Sequence, residues 1–146
     1  GGIMAGRRVD DVPDNVFRTA SRINSTWGGG LVDMVRSRRL LEIIEREGLI
    51  ARAGELGAGL LDDLHGLADR HGALVSNVRG RGLMCALDLP DTERRAEVLR
   101  RLFDEERVLA LPCGTRSVRF RPHLAVTQDD LDRAVSAFDR VLSRLK

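Results

Sequence analysis

The 146-residue sequence predicts an α/β fold of the α+β type, in which a small, mostly antiparallel sheet is covered by helices and preceded by a long helix. Three observations predict it. From Leu31 to His71 apolar residues recur at helical spacing, from Leu74 to Leu89 the period drops to two, and Thr127 opens a last helix with the clearest start signal in the chain. Hydrophobic residues make up 42% of the chain and both charges are well mixed, which suits one core and argues against disorder.

The elements follow in order. Gly1 to Gly6 is small and apolar, unlike a free terminus, and reads as cut from something longer. Arg7 to Asn15 is charged and holds Pro13, so a surface segment is expected there, with irregular or extended chain from Val16 to Ile23. Leu31, Val32, Val35, Leu40, Ile43 and Ile44 then place a helix over Leu31 to Glu47, with Gly48 as its stop and a broad stripe expected to be buried. A second helix is expected from near Ile50 to near His71, with Ala53, Leu56, Leu60, Leu64, Leu67 and Ala68 inward and Gly54, Gly57 and Gly59 weakening it locally. Leu74 to Arg79 and Leu83 to Leu89 are strand-like, and Gly80-Arg81-Gly82 between them is either a hairpin turn or a bulge in one long strand.

Pro90-Asp91-Thr92 opens a third helix with Ala96, Leu99, Leu102 and Phe103 as its inner face and Arg107 near its end. Val108 to Leu111 reads as a strand, Pro112 to Arg116 as a turn, and Ser117 to Pro122 as another strand. On that strand Val118 and Phe120 point one way, and Arg119 and Arg121 the other. In the last helix Thr127 and Asp130 form a capping box and Val126 with Leu131 a hydrophobic staple, leaving Leu131, Val135, Phe138, Leu142 and Leu145 as the buried stripe.

Composition excludes several functions. The formal net charge is only +2 and the arginines do not cluster, so nucleic-acid binding is not expected. No apolar run approaches the ~20 residues of a membrane-spanning helix. Cys85 and Cys113 lack metal-ligand spacing and no secretory segment precedes Gly1, so a reduced, cytoplasmic protein is expected. His65, His71 and His123 are scattered, and no metal site is expected. All but one of the 24 basic residues are arginine, and the exception, Lys146, ends the chain, a poor place to hold a reactive amine.

Two stretches carry chemistry. Asn24 to Gly30, Asn-Ser-Thr-Trp-Gly-Gly-Gly, stands immediately before a helix. Unpaired N–H groups at a helix N-terminus attract anions, so a phosphate there would also be in reach of the Ser25 and Thr26 hydroxyls. The plain alternative is a loop whose Ser and Thr cap the helix. The second stretch is the strand face with Arg119 and Arg121, whose guanidinium forks match the two oxygens of a carboxylate unless they simply face water. Neither stretch supplies a nucleophile with an adjacent base or a glycine-lysine phosphate loop, so the chain alone lacks a catalytic centre.

Asn24-Ser25-Thr26-Trp27-Gly28-Gly29, the long helix after it, Arg79-Gly80-Arg81-Gly82-Leu83-Met84 and Val118-Arg119-Phe120-Arg121-Pro122 together resemble the carboxy-terminal third of a class III, fold-type I aminotransferase dependent on pyridoxal phosphate. The likeness runs from the Gly-Ile-Met-Ala-Gly-Arg-Arg start to the final helix, and is nearest to the branch acting on L-lysine. The resemblance implies residues 1–28 as the end of the large cofactor domain, 29–48 as a linking helix and 49–146 as the small domain. It implies that Thr26, with Ser25 beside it, reaches the phosphate of pyridoxal 5'-phosphate across a homodimer interface. Arg119 would hold the substrate α-carboxylate, Asn24 would lie near the substrate, and Arg121 would be structural or supporting. An amino-acid donor and 2-oxoglutarate are the implied substrates. The family's Schiff-base lysine, the aspartate under the pyridine nitrogen and the aromatic that stacks on the ring would fall outside this chain. Gly30 stands where asparagine is usual and His123 where a second proline is usual. Branches acting on ornithine or 4-aminobutyrate, and a free-standing α/β interaction module, are the alternatives.

Overall fold

The computed structural model describes residues 3–19, 22–23 and 26–145. The chain divides into two compact units, Gly1–Ile43 and Ile44–Lys146.

In the first unit a short helix α1, Arg7–Asp10, occupies part of the expected surface segment. Behind it Asn15 is buried. Its amide donates to the Val12 carbonyl at 2.9 Å, and its side-chain oxygen accepts from the Phe17 and Arg18 N–H groups at 2.9 and 3.2 Å, tying the turns that follow. Turns over 26–29 lead into α2, Leu31–Arg46, which ends one residue short of the expected boundary and whose last residues, from Ile44, belong to the second unit. No residue of α2 is buried, with Leu31 77% and Val35 70% exposed. The expected buried stripe is therefore absent: the amphipathic pattern exists, but no described residue covers it.

The second unit contains α3 (Leu49–Arg70), β1 (Ser76–Arg81), β2 (Met84–Asp88), α4 (Thr92–Asp104), β3 (Leu111–Cys113), β4 (Ser117–Phe120) and α5 (Gln128–Ser143). The strands form one antiparallel sheet in the order β1-β2-β4-β3. Gly80 belongs to β1, and the hairpin turn is made by Gly82 and Leu83 with Arg81 paired to Met84. Gly82 sits at φ 54°, which glycine adopts without strain. Near Asn77, itself at φ 49°, the pairing between β1 and β2 shifts register.

One face of the sheet is apolar because Leu83, Cys85, Leu87 and Leu89 alternate inward with Val118 and Phe120, all buried. Helix α3 lies on β1 and β2, α4 on β3 and β4, and α5 packs against both α3 and α4. Leu60, Leu64 and Leu67 of α3 and Phe138, Val141 and Leu142 of α5 fill the space between. Each such side chain removed from water stabilises the fold by ~1.5–3 kcal/mol. Phe120 and Phe138 rings meet at 5.1 Å, joining sheet to α5. The capping box at Thr127 and Asp130 is formed, and the whole expected stripe of α5 is buried.

Two expectations need correction. In α4 it is Val98 and Leu102 that are buried, while Ala96 is exposed and Phe103 is 53% exposed. The helix is rotated so that Val98 joins the expected Leu99 and Leu102 on its inward face. The third strand is Leu111–Cys113 and not Val108 to Leu111, because Arg107 at φ 57° turns the chain and delays pairing until Leu111 meets Arg119.

Candidate functional site

The open face of the sheet is built by register. Ala86 pairs with Arg119 on one side and Arg79 on the other, while Leu111 pairs with Arg119 from β3. Directly paired residues share a face, so Arg79, Ala86, Arg119 and Leu111 form one row across four strands. The next row is Ser76, Asp88, Ser117 and Cys113.

Arg119 is half-buried, and its Nε is buried without a hydrogen-bond acceptor. Among the described residues its guanidinium has neither an ion-pair nor a hydrogen-bond partner. A buried donor without an acceptor costs ~1–3 kcal/mol, so an incoming anion that accepts from it is favoured. Arg119 lines a cleft of about 360 Å³ with Arg121, Val108, Leu109 and Leu111 on its walls. The wall is mostly apolar and its charged members are Arg119, Arg121 and Asp130, the last already accepting from Thr127, so the two guanidinium groups suit a carboxylate carried on an aliphatic body. Arg121 itself is exposed, as is His123.

Thr26 is exposed and belongs to the turn immediately before α2. Met34 donates to the Gly30 carbonyl at 3.1 Å, so the amides of 31–33 open the helix and keep its positive end available. Asp33, in the first turn and 3.2 Å from Arg36, already complements part of that charge. At Gly30 a Cβ would lie 3.5 Å from the Trp27 carbonyl oxygen, an ordinary contact, so a side chain is sterically acceptable there. Asn24 and Ser25 lie outside the described residues, as does Lys146. Thr26 and Arg119 belong to different units.

Asp88 is not singled out by the sequence, where it is one residue of the strand-like run Leu83 to Leu89. It is buried, 6% exposed, on the otherwise open face. Its carboxylate accepts from the Ser117 hydroxyl at 2.5 Å, from Arg79 Nη1 at 2.9 Å and from Asn77 Nδ2 at 2.9 Å. The Ser117 hydrogen bond foremost, helped by Asn77 and Arg79 against the cost of burial, holds the Asp88 carboxyl down at about 2. Arg79 also donates to the Ser117 hydroxyl oxygen at 3.0 Å and to the carbonyl of Asn77, two residues earlier, at 2.8 Å. The only available signal was the Arg79 motif itself, since the bulge at Asn77 and the β2–β4 register that gather these groups leave no mark in the sequence.

Among the described residues no group of His, Cys, Asp and Glu is arranged to hold a metal, and no helix is long and apolar enough to cross a membrane.

Comparison with known proteins gives a consistent result. The family model for Aminotransferase class-III matches residues 4–142. L-lysine-epsilon aminotransferase of Amycolatopsis lactamdurans is 55% identical over 136 residues, 93% of this chain and 30% of that protein. The mitochondrial 4-aminobutyrate aminotransferase of Homo sapiens is 33% identical over 125 residues, 86% of this chain and 25% of that protein. The crystal structure of lysine aminotransferase from M. tuberculosis superposes with a TM-score of 0.88 at 51% identity, covering 98% of this chain and 33% of that one. The chain thus spans about a third of the length of the relatives it matches.

Proposed function

The chain belongs to the class-III aminotransferase family, and on that premise we propose that it is the carboxy-terminal part of a pyridoxal-phosphate-dependent L-lysine 6-aminotransferase. In this reading the whole enzyme, a cytoplasmic homodimer, takes the terminal amino group of L-lysine to give 2-aminoadipate 6-semialdehyde and passes it to 2-oxoglutarate to give L-glutamate. The choice of donor rests on one contrast: 55% identity to a relative named for lysine, against 33% to one named for 4-aminobutyrate.

Arg119 binds the substrate carboxylate through its fork, satisfying the buried Nε that has no acceptor of its own. The residues present fit the cofactor's phosphate: Thr26 offers an exposed side chain just ahead of the open amides of α2, and Ser25, its neighbour in sequence, is assigned to the same phosphate. The cofactor, when bound, supplies the electron sink that lets a proton leave the carbon bearing the amine. By the same family likeness Asn24 is assigned to the neighbourhood of the substrate. The linking helix α2 buries its apolar side against a second subunit or the large domain, which accounts for the exposure of Leu31, Val32 and Val35. This chain alone is inactive, because its single lysine is terminal and cannot serve as the cofactor's anchor.

The test uses the native gene product. Borohydride reduction, digestion and mass spectrometry are expected to give a pyridoxyl-lysine in a peptide just ahead of Gly1, and steady-state turnover is expected to favour L-lysine over ornithine and 4-aminobutyrate. A product without the adduct refutes the cofactor assignment. Faster turnover of either rival donor refutes the choice of lysine.

A further inference from the structure

Part of the wall of the Arg119 cleft is the stretch 108–111, of which only Leu111 belongs to a strand. Continuing the β3–β4 register would set Ala110 opposite Phe120 and Leu109 opposite Arg121, yet the pairing stops at Leu111. What diverts the chain is Arg107, held at φ 57° in the left-handed region that favours glycine. A non-glycine residue stays there only when its surroundings over-determine it, and here both neighbours are tied. After it, the Val108 N–H donates to the Leu102 carbonyl at 2.9 Å. Before it, the Glu106 carboxylate is gripped from the far end of α5.

The grip uses both carboxylate oxygens. Oε2 of Glu106 accepts from Arg140 Nη2 at 2.7 Å and Nε at 3.0 Å, and Oε1 accepts from Arg144 Nη2 at 2.9 Å. Arg144 also donates to Glu105 at 2.7 Å, so the ends of α4 and α5 are joined through two carboxylates and two guanidinium groups. The Glu106 side chain is 11% exposed, and the hydrogen bond from Arg140 foremost, with that from Arg144, holds its carboxyl below the ordinary range. Nearer its start the same helix lines the Arg119 cleft with Asp130, Leu131 and Ala134. Helix α5 therefore supplies one part of the cleft directly and anchors another through Glu106. Val108 stands between the two, lining the cleft on one side and the polar hollow that holds Glu106 and Arg140 on the other.

We propose that Glu106 is a positioning residue for the carboxylate cleft: gripped by Arg140 and Arg144, it keeps Arg107 in its turn and holds 108–110 off β4 as the apolar wall against which the body of a bound carboxylate packs. The inference rests on the reading of Arg119 as a carboxylate ligand. Arg119 takes the head group and the wall takes the aliphatic chain, so loss of the grip weakens a longer ligand and leaves the shortest one untouched.

The experiment uses the 146-residue chain and follows the Arg119 Nε–H signal by heteronuclear NMR during titration with acetate and with butyrate at constant ionic strength. The signal is assigned by its loss in Arg119→Lys. In the unsubstituted chain both ligands shift Arg119, and butyrate is expected to bind about threefold or more tightly because its two extra methylenes lie against the wall. Glu106→Ala is expected to bring that preference close to unity without changing the affinity for acetate. Arg140→Gln, which leaves only the Arg144 bond, is expected to lower the preference partway, and the double variant to do no more than Glu106→Ala alone. Amide exchange reads the same event: the Val108 N–H is expected to exchange roughly tenfold faster in Glu106→Ala, while the Leu131 N–H, bonded to the Thr127 carbonyl in α5, keeps its rate. Equal weakening of both ligands, or equal acceleration at Val108 and Leu131, is the mark of a general loosening and overturns the positioning role. So does a preference that survives Glu106→Ala, or one absent from the unsubstituted chain. Arg140 is exposed, so Arg140→Gln keeps the test decisive if Glu106→Ala does not fold, and an unchanged preference there also overturns the role. In all these cases Arg119 stands as the carboxylate ligand. If neither ligand shifts Arg119, the reading of Arg119 falls and this inference falls with it.

Discussion

Gly57 and its neighbours offer a test of how α3 meets the sheet. Three glycines, Gly54, Gly57 and Gly59, stand in the middle of one helix, and helix propensity alone favours alanine at each by up to ~1 kcal/mol. At Gly54 and Gly59 a Cβ would meet nothing within 4 Å. At Gly57 it would overlap the Cα and carbonyl group of Gly82, the first residue of the β1–β2 turn. That obstacle is backbone, so no side chain can rotate away. The helix or the hairpin must move, and overpacking of this kind costs ~1–3 kcal/mol or more. Taking the upper end and subtracting the propensity gain, Gly57→Ala is expected to destabilise the second unit by about 2 kcal/mol, lowering its melting temperature by roughly 10 °C. Gly54→Ala and Gly59→Ala are expected to raise it by a few degrees, roughly 4–8 °C at most. Thermal unfolding followed by circular dichroism reads all three in one series. A Gly57→Ala chain that melts at or above the unsubstituted one refutes the close approach of helix and turn.

Three further expectations are independent of that one. Thr127→Ala removes the hydroxyl that accepts from the Asp130 N–H at 3.2 Å, and should cost ~1 kcal/mol in urea unfolding; an unchanged midpoint would show that the cap carries no weight. Asp88 has its folded-state value depressed from 3.8 to about 2, so its contribution to stability is fully present above the unfolded value and is lost as pH falls toward 2. Urea midpoints taken between about pH 5 and pH 2 should therefore fall steeply for the unsubstituted chain and less steeply for Asp88→Asn, and equal slopes would remove Asp88 from the account. In the full-length enzyme Arg119→Gln should lower kcat/KM for the amino donor by roughly 100-fold, with Arg119→Lys intermediate, and undiminished turnover would sink its assignment to the carboxylate.

Much of the fold was legible because local and tertiary signals agree. The capping box at Thr127 and the period-two run from Leu83 to Leu89 each say in a few residues what the packed structure requires. The failures lie where several answers satisfy the same local pattern. In α4 the apolar residues support two phases of one helix, and only packing against α5 and the β3–β4 side of the sheet selects Val98 over Phe103. Val108 to Leu111 is as strand-like as any run in the chain, yet most of it lines a cleft because a backbone turn at Arg107 precedes it. The site divides the same way. Arg119 could be singled out from its alternation with Val118 and Phe120, but the burial of its Nε without an acceptor depends on sheet packing that no short motif encodes.

The sheet's two outer strands also bear on how copies of this chain behave at high concentration. A strand with free N–H and C=O groups on one side invites another chain to continue the sheet, and short length, proline, charge and irregular pairing oppose that. Both flanks carry such obstacles. The β1 flank has Arg79, Arg81 and the register shift beside Asn77, and the β3 flank is three residues long with Pro112 at its centre. Sheet extension into fibrils is thereby blocked at either side, and self-association at high concentration should run through the bare apolar side of α2 instead, as amorphous and detergent-reversible clustering that binds no amyloid dye.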